Sequence, residues 1–341
     1  LHANGNVKIN NKKEKYKIYS DKITYNKNSA KIYTKDNSQA ISEGVFIKGN
    51  DFFYDQEQNI LEAEGNVEIE DKIENYLMDT HYVNYNKNSK KIFTKGKTKL
   101  FIDNKYEFIS KNVFLDRISK EVKSDNYSTI KDDNSNFYEL SKFLYFYEKK
   151  LLRGYDVKVQ SNYNKEKSDK FFFKNSFINF SKNSFISKNT KIDIHKKVFD
   201  KERDLKEGEK NLFEGQNDPR IYSLSSSGNE KTVVLNKAIF TSCKKNDSCP
   251  PWSIKADKII HDRVKQNIIY ENAKLNIYDI PVFYFPKFFH PDPSVIRRSG
   301  LLQPRLNNSN VLGSSIHMPY FHVISENKDL TIKPTIFDNR I

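Results

Sequence analysis

The segment YNKNSAKIYT at residues 25–34 returns as YNKNSKKIFT at residues 85–94, and ANGNVKINN at residues 3–11 returns as AEGNVEIED at residues 63–71. Both pairs are sixty residues apart. Related segments that subdivide this interval or follow it are YDQEQNILEA, LDRISKEVKS and YEKKLLRGYDV, which begin at residues 54, 115 and 147. A unit of about thirty residues used repeatedly predicts one stacked supersecondary structure and not a series of separate domains.

Each unit predicts two short strands around a polar turn. In SDKITYNKNSAKIYTK, Ile23 and Tyr25 alternate with polar residues before the Asn-Lys-Asn-Ser turn, and Ile32 follows it. Alternation on both sides of such a turn is typical of a β-hairpin with one apolar face. The GNV segments show the same alternation after a Gly-Asn pair, which we interpret as a turn. The sequence therefore predicts an all-β chain in which rows of hairpins form two facing antiparallel sheets, a jelly roll or sandwich.

The apolar face of these hairpins has two interpretations. It fills the core of a closed sandwich, or it lines an open groove that accepts lipid chains. The alternating pattern favours neither, because both arrangements need the same apolar residues on one face of each strand. The candidate groove residues are Val7, Ile9, Ile23, Tyr25, Val67 and Ile69.

The composition indicates a folded protein and argues against a nucleic-acid-binding one. Of 341 residues, 30% are charged, but 20 Tyr and 25 Phe are far more than a disordered chain carries. The net charge of +14 invites a nucleic-acid interpretation. However, the lysines are spread over the whole length among acidic residues, so nucleic acid is not an expected partner. The sequence contains no run of about 18 apolar residues, so it predicts no membrane-spanning helix.

Residues 196–230 interrupt the rhythm with charged residues and then with Gly, Asn and Ser. The sequence predicts a long surface loop or insertion here. Strand-like alternation resumes with KTVVLNKAIF at residue 231.

Catalytic and metal-binding motifs are not found. The seven histidines lack HExxH spacing, and neither a GxSxG motif nor a phosphate-binding glycine loop occurs. His261 beside Asp262 is interpreted as part of a turn. Cys243, Cys249 and His261 are too few ligands for a structural zinc site. We therefore expect no enzymatic activity, no cofactor and no metal.

Cys243 and Cys249, the only cysteines, are best interpreted as disulfide candidates in a chain that works in an oxidising compartment. A reactive thiol is a weaker alternative, since Lys244 and Lys245 provide little electropositive surrounding.

The second half of the chain carries a resemblance to a known family. Trp252 and Ser253, IIHD at 259–262, PVFYFP at 281–286, RRSG at 297–300 and Pro304 follow the order and spacing of the lipopolysaccharide-assembly family LptD, also called the organic-solvent-tolerance family. The thirty-residue units of the first half resemble the OstA-type jelly roll of this family, which is shared with the soluble bridge protein LptA. Together the two parts cover nearly the whole chain.

The resemblance implies two domains and a transport function. Residues 1–290 would form the periplasmic OstA-type jelly roll, and residues 291–341 the first strands of an outer-membrane β-barrel. Lipopolysaccharide would pass from an LptA-like bridge protein through the jelly roll to the barrel, which an LptE-like lipoprotein plugs in some lineages. The family's barrel needs many more residues after Ile341, so we expect the sequence to be part of a longer chain.

The resemblance also implies roles for particular residues. Pro304 and Pro319 match the prolines that weaken a lateral gate in the barrel; their alternative interpretation is a bulge at the barrel rim. A cysteine in the position of Cys243 or Cys249 would pair with one near the end of the barrel. Arg297 and Arg298 are candidate phosphate contacts. The alternatives are a soluble LptA-like lipid bridge, a basic nucleic-acid-binding β-protein, and a carbohydrate-active enzyme with two facing carboxylates.

Overall fold

The computed structural model describes residues 1–161, 163, 169–194, 219–243, 251–292, 295, 297–302, 304–309, 313–325 and 327–338. Over these residues the chain forms β-strands and turns, without an α-helix. The predicted all-β class is confirmed. The first strands are β1 His2–Asn11, β2 Tyr16–Asn26, β3 Lys31–Lys35, β4 Ser38–Ser42, β5 Val45–Gly49, β6 Asp51–Asp55, β7 Ile60–Asp71, β8 Tyr76–Asn86, β9 Lys91–Lys95, β10 Lys97–Ile102, β11 Tyr106–Lys111, β12 Phe114–Asp116, β13 Glu121–Ser124, β14 Ser128–Lys131, β15 Phe137–Leu140 and β16 Lys142–Phe146.

The later strands are longer until β24 and short after it. They are β17 Leu151–Gln160, β18 Lys170–Asn179, β19 Ser184–Asp193, β20 Arg220–Gly228, β21 Thr232–Thr241, β22 Trp252–Asp262, β23 Asn267–Ile277, β24 Ile280–Pro291, β25 Gly300–Leu301, β26 Arg305–Ser309, β27 Gly313–His317, β28 Tyr320–Ser325, β29 Lys328–Ile332 and β30 Thr335–Phe337.

Strand β2 illustrates how the first 24 strands are arranged. Its residues 16–19 pair with β4, whereas its residues 22–26 pair with β3, so one strand bends and belongs to two sheets. We call the sheet that contains residues 16–19 sheet I and the sheet that contains residues 22–26 sheet II. The strands that lie in sheet I alone are β4, β5, β10, β11, β14 and β15. Those that lie in sheet II alone are β3, β6, β9, β12, β13 and β16. The other strands up to β24 contribute to both sheets.

All strand pairs in these two sheets are antiparallel, and the result is the predicted jelly-roll arrangement of hairpins. The Asn-Lys-Asn-Ser turn joins β2 to β3 as predicted, and its repeat joins β8 to β9. In both turns the side chain of the first Asn accepts the backbone N–H of the Ser three residues later, which is why Asn recurs there.

The Gly-Asn pairs are not turns, and this prediction is wrong. Gly65 and Asn66 lie in the middle of β7, where the register with β8 shifts between Glu64 and Val67. Both residues have positive φ, +80° at Gly65 and 48° at Asn66. A β-bulge of this kind lets the strand turn from sheet II to sheet I without ending. The sequence pattern that ordinarily marks a hairpin turn here marks a bend.

A line of buried hydroxyl groups follows the bend between the sheets, and we call this line the crease. Thr98 is typical, because its hydroxyl lies 2.7 Å from that of Thr94 and 3.2 Å from that of Thr80. Serine and threonine fit a tight bend and satisfy each other's hydrogen-bonding groups away from water. The hydroxyl-bonded crease residues are Ser20, Thr34, Ser38, Thr80, Thr94, Thr98, Ser110, Ser128, Ser187, Thr190 and Ser226.

The predicted loop at 196–230 is wrong in its last part. Residues 195–218 lie outside the described residues, but Arg220–Gly228 is strand β20, paired with β19 and β21. Its inward positions are occupied largely by serines, as at Ser223 and Ser226, in place of large apolar residues. The alternation is therefore present, but hydrophobicity alone does not reveal it.

The two-sheet array ends with β24 at Pro291. The strands after it form two three-stranded antiparallel sheets, one of β25, β28 and β29 and one of β26, β27 and β30. The domain boundary between residues 290 and 291 stays a prediction from the sequence.

Candidate functional site

Apolar side chains fill most of the space between sheets I and II, which we call the interior. One buried cluster runs from Tyr16 in β2 to Ala273 in β23. Of the candidate groove residues, Ile23, Val67 and Ile69 belong to this cluster and are at most 4% exposed. Val7, Ile9 and Tyr25 are half-buried and pack against it. All six side chains therefore contact the same interior, three deep inside and three at its N-terminal end.

Side chains from the hairpin turns bridge the two sheets along the edge opposite the crease, which we call the mouth. In four of the five bridges named next, a turn of sheet I contributes a carboxylate and a turn of sheet II a cation; in the fifth, each turn contributes an amide. The bridges are Glu43 with Lys90, Glu74 with Lys120, Asp103 with Lys150, Asp169 with Arg263, and Asn134 with Asn183. The interior is closed along much of its length by polar contacts and not by further strands.

One bridge is buried. The Arg117 Nη2 atom lies 2.8 Å from Asp71 Oδ2, and Arg117 Nη1 donates a hydrogen bond to the Tyr85 hydroxyl. Burial disfavours the charged guanidinium, but its interactions with Tyr76, Tyr85 and the carboxylate of Asp71 outweigh this effect, and the pKa of Arg117 is raised. Burial also raises the pKa of Tyr76 and Tyr85, so both hydroxyls stay protonated. The pair pins the two sheets together in the middle of the mouth.

The interior opens at the N-terminal end of the array into a cleft of about 550 Å³, which we call the N-terminal cleft. Val7, Ile9, Ile23, Tyr25 and Ile32 form its apolar wall. Four of these five are residues that the sequence singles out for a groove. The cleft is wide enough for an alkyl chain, whose contacts with such a wall are favourable because both are apolar.

A second opening, the central cleft, occupies about 440 Å³ between β15, β17–β19 and β21. Its floor is aromatic, with Phe171, Phe173 and Phe185 in mutual contact. Polar side chains surround the opening, among them Glu230 and Arg263. Sequence reasoning misses this cleft, although the FFF run at residues 171–173 is a usable signal of unusual aromatic density.

A buried polar cluster lies at the C-terminal end of the array. His261 in β22 contacts the carboxylate of Asp292, so its interpretation as part of a turn is wrong. The Tyr270 hydroxyl lies 2.7 Å from His290 Nε2, and the ring of Tyr270 stacks on Phe288 at 4.5 Å. Burial lowers the pKa of His290, which keeps the imidazole neutral and able to accept the tyrosine hydrogen bond.

Three prolines lie between the short strands that follow residue 296. Pro304 and Pro319 lie between β25 and β26 and between β27 and β28, and Pro334 lies in the same way between β29 and β30. The three breaks are adjacent, because Leu302 donates its backbone N–H to Pro319 and Met318 donates to Pro334. Since proline lacks a backbone N–H, a weakened line runs through the three breaks. Pro304 and Pro319 are predicted from the sequence as gate residues, whereas Pro334 is not.

Comparison with known proteins finds several similar chains, all described as LPS-assembly protein LptD. The chain is 32% identical over 135 residues to the protein of Polaromonas sp. (strain JS666 / ATCC BAA-500), a match covering 36% of this chain and 16% of the relative. It is 36% identical over 106 residues to that of Legionella pneumophila (strain Paris), 31% of this chain and 12% of the relative. The match to Yersinia enterocolitica is 32% over 142 residues, 41% of this chain and 17% of the relative.

This chain is similar to LptD. The resemblance predicted from the motifs is thereby confirmed over about a third of the chain. The matched segments span less than a fifth of the length of each relative. No family model matches the chain.

Two kinds of feature are absent from the described residues. None of their secondary-structure elements is a helix long and apolar enough to cross a bilayer. They also contain no group of three or more His, Cys, Asp or Glu side chains arranged to hold a metal ion.

Of the two cysteines that the LptD resemblance implies for a disulfide, the structure describes one. Cys243 is buried with a free thiol at the end of β21, and Arg220 donates a hydrogen bond of 2.5 Å to its carbonyl oxygen. Its thiol lies 3.5 Å from the carbonyl oxygen of Trp252. Cys249 lies outside the described residues.

The two arginines of the RRSG motif hold neighbouring elements together. Arg297 pairs with Asp329 of β29, and Arg298 donates to the side chain of Asn267 and, at 3.3 Å, to the carbonyl oxygen of Gln266. Arg298 therefore links the first residues after the array to the hairpin between β22 and β23. A phosphate at this position would have to share or displace these protein partners.

Proposed function

We propose that this chain is a portion of an LptD-like protein that transports and assembles lipopolysaccharide at the outer membrane. In this proposal residues 1–290 act in the periplasm and residues 291–341 begin the barrel. The observation that carries the proposal is the apolar interior of the array with its N-terminal cleft, in a chain similar to LptD. An interior of this kind suits acyl chains, which gain about 0.8 kcal/mol for each buried methylene group.

The lipid would enter through the N-terminal cleft and contact Val7, Ile9, Ile23 and Tyr25. Val67 and Ile69 would line the deeper path. An LptA-like bridge protein would deliver the lipid by pairing its own edge strand with β1. Strand β1 pairs with β2 along one edge, and the bridge protein would pair with the other edge. The sugar-phosphate head would stay in water at the mouth, where lysine side chains are abundant.

The strands after Pro291 would receive the lipid. The aligned breaks at Pro304 and Pro319 support a lateral gate, because strands that lack hydrogen bonds separate with less loss of free energy. Arg297 and Arg298 would meet lipid phosphate near this gate. Cys243 or Cys249 would form a disulfide with a cysteine further along the protein, and an LptE-like lipoprotein is a further partner in this proposal. The proposed role is transport and not catalysis.

Site-specific photocrosslinking tests the proposal in cells that depend on the full-length protein. A photoreactive phenylalanine analogue replaces Tyr25, which lines the N-terminal cleft, or Tyr33, which is 46% exposed on the adjacent strand and faces outward. We expect lipopolysaccharide adducts at Tyr25 and none at Tyr33. Phe185 in the central cleft and its outward neighbour Ile186, 65% exposed, form a second matched pair. Equal labelling of inward and outward positions, or none at either, would contradict transport through the interior.

A further inference from the structure

Tyr16 separates the N-terminal cleft from the rest of the interior. Its side chain lines the cleft of about 550 Å³ on one side and an apolar cavity of about 30 Å³ on the other. Ile18, Ala40, Val45 and Ile47 lie along this smaller cavity. At 5% exposure, the tyrosine side chain is buried between these two spaces.

Side chains from other hairpin turns hold this wall in position. Gln56 in the turn after β6 donates a hydrogen bond to the Tyr16 hydroxyl, and the Tyr54 ring packs edge-on against the Tyr16 ring at 5.1 Å. Lys87 in the turn after β8 lies 5.7 Å from the centre of the same ring and donates a hydrogen bond to the carbonyl oxygen of Glu14. Gln56 and Lys87 thus reach from sheet II to Tyr16 and its neighbours at the start of sheet I.

These contacts are weaker than those on either side of them. The crease is held by buried hydroxyl pairs, and Asp71 with Arg117 pins the mouth further along the array. Tyr16, in contrast, is held by an amide hydrogen bond from Gln56, a long one of 3.4 Å from Asn11, one cation–π contact and packing around a small void. A tyrosine side chain swings aside by rotation about two single bonds, and the N-terminal cleft of about 550 Å³ leaves it space to do so.

We propose that Tyr16 is a gate between the N-terminal cleft and the deeper interior, with Gln56 and Lys87 as its latch. When the latch releases, the tyrosine rotates and the cleft becomes continuous with the cavity beside Ala40. The inference deepens the proposed function, on which its biological meaning rests, by naming the residue that an entering acyl chain must displace. The opening itself is a property of the protein and is measured without lipid.

Thiol labelling of the cavity tests the gate in the full-length protein. Ala40→Cys introduces a small buried thiol into the cavity, in a background in which Cys243, Cys249 and every further cysteine of the full-length protein are replaced by serine, and a soluble maleimide reports how often the cavity opens. The latch variant combines Gln56→Ala with Lys87→Ala. Each of the two substitutions should favour the open state by about two- to threefold, so we expect labelling to accelerate about four- to ninefold.

The matched control combines Gln58→Ala with Lys91→Ala, which changes the same residue types and the same charge. Gln58 is exposed in the same turn as Gln56, and Lys91 pairs with Asp116 within sheet II. We expect labelling of the control at the wild-type rate. Tyr16→Phe, which keeps the ring but loses the hydroxyl, should accelerate labelling about two- to threefold.

Urea dependence separates the gate from global unfolding. Gate opening exposes little surface, so the labelling rate of the latch variant should barely change in low urea. The gate is overturned if the latch variant labels no faster than the control, or if its labelling rises with the full urea dependence of global unfolding. Since no lipid is present, a failure of the gate leaves the photocrosslinking test of lipid transport unaffected.

Discussion

Replacing Arg117 with leucine should lower the free energy of unfolding by about 3–5 kcal/mol. The magnitude follows from burial, because the Arg117 side chain is 6% exposed and that of Asp71 is 0% exposed. Removal of the cation leaves a buried carboxylate without its charge partner. An exposed pair would contribute only about 0.2–1 kcal/mol. Urea unfolding followed by circular dichroism measures the loss.

A double variant tests the cause of that loss. Asp71 Oδ1 accepts the backbone N–H groups of Ile73 and Glu74, each at 3.0 Å, and the amide oxygen of asparagine can keep both bonds. Asp71→Asn combined with Arg117→Leu therefore removes both charges while keeping the turn. We expect it to be at least about 2 kcal/mol more stable than Arg117→Leu alone. The reasoning is refuted if the double variant gains nothing, or if Arg117→Leu loses less than about 1 kcal/mol.

Three further predictions concern the crease, the C-terminal cluster and the bulge. Thr98→Val should lower the free energy of unfolding by about 1–3 kcal/mol, because it leaves the buried hydroxyls of its neighbours without their partner. The control Thr129→Val, at an outward position of β14, should change the free energy of unfolding by less than about 0.5 kcal/mol. Burial lowers the pKa of His290 in the folded protein, so the unfolded chain takes up a proton first as the pH falls below 6.5, the ordinary pKa of histidine. The free energy of unfolding should therefore decrease as the pH falls through that range. Thermal unfolding at several pH values measures this decrease, which His290→Asn should flatten. Gly65→Ala should destabilise the protein more than Gly5→Ala. Both glycines have positive φ, but only at Gly65 would the added Cβ lie 2.5 Å from a side-chain nitrogen, that of Asn50. Comparable melting temperatures for the two variants would contradict this explanation.

The hairpins could be predicted because their determinants are local. The apolar residues Ile23 and Ile32 and the turn asparagines lie within a dozen residues of one another, and the structure keeps that order in β2 and β3. Strand β20 was missed because serines at Ser223 and Ser226 replace the apolar residues that identify a strand. Small hydroxyl residues are preferred near the crease, where the two sheets approach closely.

The candidate site could be predicted only in part. Alternation identified which residues face the interior, but whether that interior is filled or open depends on side chains distant in sequence. Asp71 and Arg117 are 46 positions apart, and neither forms a motif with its neighbours. The central cleft likewise combines β15, β17–β19 and β21, whose spacing is not visible in a single repeat.

The sequence by itself determined the all-β class, the thirty-residue unit, the inward-facing residues and the similarity to LptD, because each is encoded in short segments. The tertiary structure decided where each strand bends, which turns meet across the mouth and where the interior stays open. The Gly-Asn pair is the clearest case. The same two residues permit a hairpin turn or a bulge, since both need positive φ, and only the pairing of β7 with β8 on both sides of Gly65 selects the bulge.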